Sequence, residues 1–238
     1  MHVTAIVLAA GKGLRLRTRI PKPLVEISSQ PLIIYCLNIL SKHPLIKDII
    51  VVANPGNLKD ICNKIRQYRV RKIKDIVLGG KLRCASVMNG LKAIDGRTDL
   101  VLIHDGARPF IAKEMVSTVI KTAKRFGAAI VGVPVKATVK QVKSPCRPGR
   151  KERSKVKSVE RTLNRDNLWE IQTPQVFKKD LILRAYKKFL STPVTDDASL
   201  VEKSGKSVKV VMGSYFNLKV TTPEDLVLAK AIAKTQIK

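Results

Sequence analysis

Close to the amino terminus an apolar run ends in a glycine turn, and no other stretch limits the possible folds so tightly. Val3 to Ala10 gives way to Gly11-Lys12-Gly13, and Arg15, Arg17, Arg19 and Lys22 follow. A short apolar run bounded by glycines is the pattern of a buried parallel strand. Glycine lets the backbone turn sharply and come close to a ligand. Backbone amides in such a turn, beside a cationic cluster, make an anion cradle. A polyphosphate is the expected occupant.

The spacing Gly-x-Gly-x-x-Leu lacks the third glycine of a dinucleotide fingerprint. Val51-Val52-Ala53-Asn54, at the end of the next strand, offers no acid to a ribose. No Gly-Lys-Ser/Thr follows at Walker spacing either. Spacing alone leaves a phosphate loop and a plain turn with solvated arginines equally open. The string Leu8-Ala-Ala-Gly-Lys-Gly-x-Arg15, with Pro21-Lys22 after it, resembles the signature of nucleotidyltransferases that couple an NTP to a sugar or polyol phosphate. The resemblance implies that the loop holds the triphosphate, with the arginine and lysine flanking the reacting phosphorus.

Beyond the loop, strand and helix patterns alternate. Helices are expected from Pro31 to Leu40, Asn57 to Gln67, Ala112 to Phe126 and Lys178 to Leu190, and strands at Ile49–Ala53, Ile73–Leu78, Leu100–Asp105, Ala128–Val133 and Val208–Met212. Pro31 suits a first helical turn and Gly127 a helix end. This rhythm predicts an α/β fold: a Rossmann-like, mainly parallel sheet with helices on both faces and ligands at the carboxyl ends of the strands. No repeat or second domain is evident, so residues 1–238 are expected to form a single domain. From Lys143 to Arg165 the chain turns polar and basic, with Pro145, Pro148 and Gly149. Val139–Val142 and Val156–Val159 are expected to pair as a hairpin, making 137–165 a protruding arm that gains order on another subunit.

Polar groups gather after the other strands. Gly79-Gly80-Lys-Leu-Arg83-Cys-Ala-Ser86 is a second turn into a helix, either a plain connection or a place where Arg83 forks onto a phosphate and Ser86 donates to a phosphate or base. Asp105 ends a buried strand, well placed for the Mg²⁺ that accompanies nucleotide polyphosphates. His104 is expected to be structural. Arg108 either closes a local turn or contacts a phosphorylated polyol. Trp169 is expected in the core or at an interface, and Gln172 and Thr173 supply polar groups beside an extended bend at Pro174. Asp196-Asp197 reads as a helix-start pair favoured by the dipole ahead of a metal pair. Lys219 approaches the last helix and can face the site.

Composition bounds the partners. No apolar run approaches a membrane span, and Met1-His2-Val3 lacks a basic leader. Cys36, Cys62, Cys84 and Cys146 are scattered, which suits reduced thiols in the cytoplasm and argues against zinc. The net charge of +28 would suit a nucleic-acid binder, but aromatic content is only 4%, too little for stacking platforms, so nucleic acid is expected only as an incidental partner.

Taken in order, these strings resemble the 2-C-methyl-D-erythritol 4-phosphate cytidylyltransferase family of the non-mevalonate isoprenoid pathway. They are the Gly11 loop with Pro21-Lys22, Gly79-Gly80-x-x-Arg83-x-x-Ser86, His104-Asp105-Gly-Ala-Arg108-Pro109, Gln172-Thr173-Pro174-Gln175, Thr195-Asp196-Asp197-Ala198 and Lys219-Val-Thr-Thr-Pro-Glu-Asp225. The resemblance implies a Mg²⁺-dependent attack of methylerythritol phosphate on the α-phosphorus of CTP. It implies Arg15 and Lys22 at the reacting phosphorus, and Ala9, Ala10, Gly11, Gly13, Gly80 and Ser86 around CTP. Asp105 would serve the metal or the substrate hydroxyls, and Arg108, Thr173 and Lys219 the phosphates. A dimer that swaps its arms would bring Thr138 and Arg165 to the neighbour's site. Pro23, Ala137 and Phe216 depart from the residues common in that family. The alternatives are a cytidylyltransferase for another polyol phosphate, such as ribitol 5-phosphate, and a basic nucleic-acid binder on an inactive transferase fold.

Overall fold

The computed structural model describes residues 1–11, 13–18, 20–143, 157–189 and 194–236. In chain order the strands are β1 (Val3–Leu8), β2 (Glu26–Ile27), β3 (Gln30–Pro31), β4 (Ile46–Ala53), β5 (Ile73–Leu78), β6 (Leu100–Asp105), β7 (Ala128–Pro134), β8 (Lys140–Val142), β9 (Val159–Thr162), β10 (Trp169–Lys178) and β11 (Lys209–Met212). The helices are α1 (Leu32–Lys42), α2 (Leu58–Gln67), α3 (Arg83–Lys92), α4 (Lys113–Phe126), α5 (Lys179–Phe189), α6 (Ala198–Lys203) and α7 (Pro223–Gln236). Short 3-10 turns at Leu14–Leu16 and Lys22–Leu24 follow β1.

Seven strands form one sheet in the order β11-β7-β10-β6-β1-β4-β5. β6, β1, β4 and β5 run parallel, β11 runs parallel to β7, and β10 alone runs antiparallel to both its neighbours. Side chains alternate across a strand, and the core follows that parity. Ala5, Val7, Ile49, Val51, Leu100 and Leu102 face one cluster with α1, α2 and α4. Ile6, Val52, Val101 and Ile103 face a second cluster with α3, α5 and α6. Both faces are therefore covered, as the near-continuous apolar strands require. A third, smaller cluster joins Leu16, Val25, Ile27 and Leu32 to Val220, Ala229 and Ala233, which seats α7 beneath the segment that follows β1.

The expected α/β architecture is present, with several boundaries moved. Pro31 lies in extended backbone at the end of β3, so α1 starts one residue later. Ala112 is likewise extended and α4 begins at Lys113, while Gly127 ends it at φ 92° as expected. β4 extends back to Ile46. The hairpin pairs Lys140 with Thr162 and Val142 with Val159, so its second strand lies toward Thr162; Val156 and the tip with Pro145, Pro148 and Gly149 lie outside the described residues. Lys12, Arg19, Cys146 and Leu190 also lie outside them.

The largest departure is β10. Its central Pro174 marks the stretch as a bend by sequence, because proline cannot donate to a ladder. The structure accommodates it through a register shift between Gln172 and Gln175, and the strand continues on both sides. Trp169, at its start, is not in the core of the chain; its ring is part-exposed.

Candidate active site

The chain order places a reversal at β1. From β1 it moves to β4 and β5 on one side, then returns to β6 on the other. Such a switch point opens a crevice beyond the carboxyl ends of the strands. A cleft of about 1030 Å³ lies there, lined by the loop after β1, the turn after β5 and the end of β6. It brings together Ala9, Ala10, Gly11, Gly13, Arg15, Lys22, Gly80, Ser86, Asp105 and Lys219. Arg108, Thr138, Arg165 and Thr173 are not among the lining residues.

Two glycines make the approach of the loops possible. Gly13 has φ +65°, and a Cβ there would lie 2.6 Å from Cβ of Lys22, so only glycine lets the loop lie against the lysine. A Cβ on Gly79 would meet Ala10 at 2.5 Å and Ser86 Oγ at 2.8 Å. The Ser86 hydroxyl accepts from the Gly80 amide at 3.1 Å and lies 3.1 Å from the Leu82 carbonyl, to which it can donate. It shapes the turn from within.

Charge in the cleft is one-sided. Among the described residues Arg15, Lys22, Lys81, Arg83 and Lys219 line it against the single carboxylate of Asp105. Arg15 is exposed on a 3-10 turn that buried Leu16 pins to the third cluster. Lys22 is half-buried. Burial and the neighbouring Lys219 charge pull its pKa down from the ordinary lysine value to about 8, with Arg15 adding to the effect and Asp105 opposing it.

Asp105 is held from every side. Its Oδ2 lies 2.7 Å from Lys219 Nζ and 3.9 Å from Arg108 Nε, and its Oδ1 lies 3.8 Å from Arg83. Burial alone would raise its pKa, but the Lys219, Arg83 and Arg108 charges outweigh it and hold the carboxyl well below the usual range.

A buried relay fixes the strand end beneath it. His104 Nε2 meets the Arg108 carbonyl at 3.0 Å. A carbonyl only accepts, so that nitrogen carries the proton. Nδ1 of the neutral ring then accepts from the Thr173 hydroxyl at 3.1 Å, and that hydroxyl accepts from the Asp105 amide at 3.0 Å. Burial lowers the His104 pKa to about 4, which keeps the ring neutral. His104 is structural, as its position in sequence implies. Thr173 sits beneath the site and spends its hydroxyl on this relay. Arg108 donates from Nη1 to the Asn217 carbonyl at 2.8 Å, within the same buried layer.

Arg83 and the aspartate pair are resolved together. Arg83 forks onto Asp197 at 2.8 and 2.7 Å, and Tyr186 donates to the same carboxylate. Burial alone would lower the Arg83 pKa; the Asp197 charge reverses this and keeps the guanidinium protonated. Asp196 accepts from Gln175 at 2.9 Å. Asp196 also accepts from the Ser199 amide at 3.2 Å, so both carboxylates are spent on framework contacts at the start of α6. The sequence-level alternatives did not include Arg83 partnering Asp197, because 114 residues separate them.

Thr138 is exposed at the root of the hairpin. Arg165, across from it, donates to the Lys136 carbonyl. Within one chain neither joins the cleft-lining residues. The turn Asn54-Pro55-Gly56 and Thr221 also line it; Thr221 lies within the Lys219–Asp225 string, whereas no motif pointed to the turn. Asn54 donates to the Ala10 carbonyl at 3.1 Å, and buried Asn57 donates to the Ala9 carbonyl at 2.9 Å.

The family model described as 2-C-methyl-D-erythritol 4-phosphate cytidylyltransferase (IspD) matches residues 3–235. The chain is 42% identical to the enzyme of that name from Alkaliphilus metalliredigens over 97% of this chain and 92% of that one. It is 39% identical to the one from Geobacillus kaustophilus over 100% and 99%. Among solved structures, 4-diphosphocytidyl-2C-methyl-D-erythritol synthase from Anaerococcus prevotii superposes with a TM-score of 0.82 at 35% identity, covering 98% of this chain and 96% of that chain. The Thermus thermophilus cytidylyltransferase superposes with a TM-score of 0.77 at 28% identity, covering 98% and 100%.

Proposed function

The chain belongs to the 2-C-methyl-D-erythritol 4-phosphate cytidylyltransferase family, and from that premise we propose how its cleft carries out the reaction. The enzyme joins CTP and methylerythritol phosphate to give CDP-methylerythritol and pyrophosphate. A phosphate oxygen bonds to the α-phosphorus as the bond to the departing pyrophosphate breaks. Two polyanions meet, so the protein's task is positioning and charge neutralisation.

The loop from Ala9 to Gly13 grips the triphosphate through backbone amides, and Gly80 and Ser86 hold the nucleoside end. Arg15 and Lys22 face the α-phosphorus and neutralise the charge that develops on it. Lys219, held by Asp105, receives the incoming phosphate, and Asp105 meets the polyol hydroxyls. Arg108 and Thr173 act on these phosphates from beneath, by holding Asp105. The observation that carries this reading is the cleft itself: among the described residues, five cations and a glycine loop surround one carboxylate at the switch point of the sheet.

Asp105 is the one carboxylate among the described lining residues, and it would take a Mg²⁺ that arrives on the nucleotide as Lys219 turns from it to the incoming phosphate. When bound it would offset negative charge on the triphosphate. The whole chain acts as one catalytic unit, with 137–165 as its arm. Val142 and Val159 are exposed on the hairpin, and a second copy would cover them, bringing Thr138 and Arg165 to the neighbouring cleft.

A pyrophosphate-release assay tests the residue roles. Lys22→Ala is expected to lose turnover while retaining part of its CTP binding; near-normal turnover would refute the role. The same assay with ribitol 5-phosphate is expected to give no comparable activity.

A further inference from the structure

Asn57 precedes α2, where an asparagine side chain ordinarily accepts from the first free amides of the helix. It makes no such cap. Its Nδ2 donates to the Ala9 carbonyl at 2.9 Å, and its Oδ1 accepts from the Asn54 amide at 2.9 Å. Asn54 donates from Nδ2 to the Ala10 carbonyl at 3.1 Å. Asn57 is 1% exposed, so its amide has no access to water as an alternative partner. Two side chains of one turn thus hold consecutive carbonyls of the loop after β1.

A trans peptide unit is planar, with its C=O and N–H pointing in opposite directions. Holding the Ala9 carbonyl toward Asn57 therefore aims the Ala10 N–H the other way. Holding the Ala10 carbonyl aims the Gly11 N–H. Ala10 and Gly11 line the cleft, and nothing lies within 4 Å of where a Gly11 Cβ would be. Packing at that position does not set the peptide; the asparagines do.

We propose that Asn54 and Asn57 are positioning residues for the triphosphate, aiming the Ala10 and Gly11 amides into the cleft before nucleotide arrives. The proposal rests on the reading that this loop holds CTP. Asn57 is not a lining residue of the cleft and acts only through the loop. The helix gains nothing from its side chain, so removing it takes away the brace without removing a cap.

Calorimetric binding of CTP, CDP, CMP and cytidine to the wild type, Asn57→Ala and Asn54→Ala tests this. Misaimed amides weaken the grip on phosphates and spare the nucleoside. CTP affinity is expected to fall about tenfold or more, since hydrogen bonds to a charged group are among the stronger ones. The loss should shrink along the series, to less than about twofold for cytidine. Equal loss for CTP and cytidine, or wild-type CTP affinity in both variants, would overturn the brace. Asn54→Ala, at a part-exposed side chain, keeps the test open if Asn57→Ala does not fold. Wild-type protein that binds no CTP would instead overturn the assignment of the loop, and the brace with it.

Discussion

Lys22 is the residue on which chemistry and environment meet most directly. In the proposed role it must be charged to neutralise the reacting phosphorus, yet burial and Lys219 bring its pKa to about 8. In the free enzyme kcat/KM should therefore fall on the alkaline side above about pH 8, roughly tenfold per pH unit. Bound triphosphate favours the charged form, so the corresponding limb in kcat should lie at higher pH. Lys22→Arg should move the kcat/KM limb out of range, because guanidinium stays protonated; a limb unchanged in that variant would assign it to another group. Lys22→Ala should lower kcat by about 100- to 1000-fold, the usual cost of one charge-stabilising donor. His104 gives a separate signature in stability. Its folded pKa of about 4 lies below its unfolded value, so its contribution is complete above pH 6.5 and is lost as pH falls toward 4. Urea midpoints of the wild type should drop across that window, and His104→Gln should flatten the slope. His104 as a structural residue was legible from its position before Asp105; its tautomer needed Thr173 and the Arg108 carbonyl to be placed around it.

At the level of elements, the glycine loop was legible because its constraints are local. Gly13 needs φ +65° and close contact with Lys22, and both follow from the turn that the string encodes. Gly13→Ala should cost turnover more than stability, by pushing Lys22 aside; kcat measured beside the melting temperature checks this. β10 was not legible, because the pattern around Pro174 argues against a strand until β6 and β7 are present on either side to pair with it. Phe177 on that strand is fully buried in the second cluster. Phe177→Ala should therefore destabilise by about 3–5 kcal/mol, the range for emptying a core aromatic site. Chemical denaturation would measure it, and a cost near zero would deny β10 its place in the core. The Arg83–Asp197 fork makes a similar point. Removing the fully buried Asp197 carboxylate takes both charged hydrogen bonds from the part-buried Arg83, and Asp197→Asn should cost about 1.5–3 kcal/mol.

For the whole molecule, the proposed second copy sets the test. None of the described hairpin residues joins a hydrophobic cluster, and Thr138 and Arg165 stand apart from the cleft within one chain. Sedimentation should find a dimer, and a chain lacking the arm should sediment as a monomer with low turnover. A fully active monomer would end the shared-site proposal. The net charge of +28 also acts at this scale, since it attracts anionic substrates to the molecule as a whole. Its influence on association should weaken as ionic strength rises. Among the described residues no helix is long and apolar enough to cross a membrane.

Sequence by itself determined what depends on neighbours along the chain: the alternation of strands and helices, the glycine turn with its cations, and an acid at the end of a buried strand. Those features rest on backbone preference and periodicity, which act over a few residues. The tertiary structure decided which distant groups meet: Lys219 on Asp105, Arg83 on Asp197, and asparagines after β4 beneath the loop after β1. Such contacts depend on strand order and register, because only the assembled sheet brings the carboxyl ends of β1, β4, β5 and β6 to one crevice.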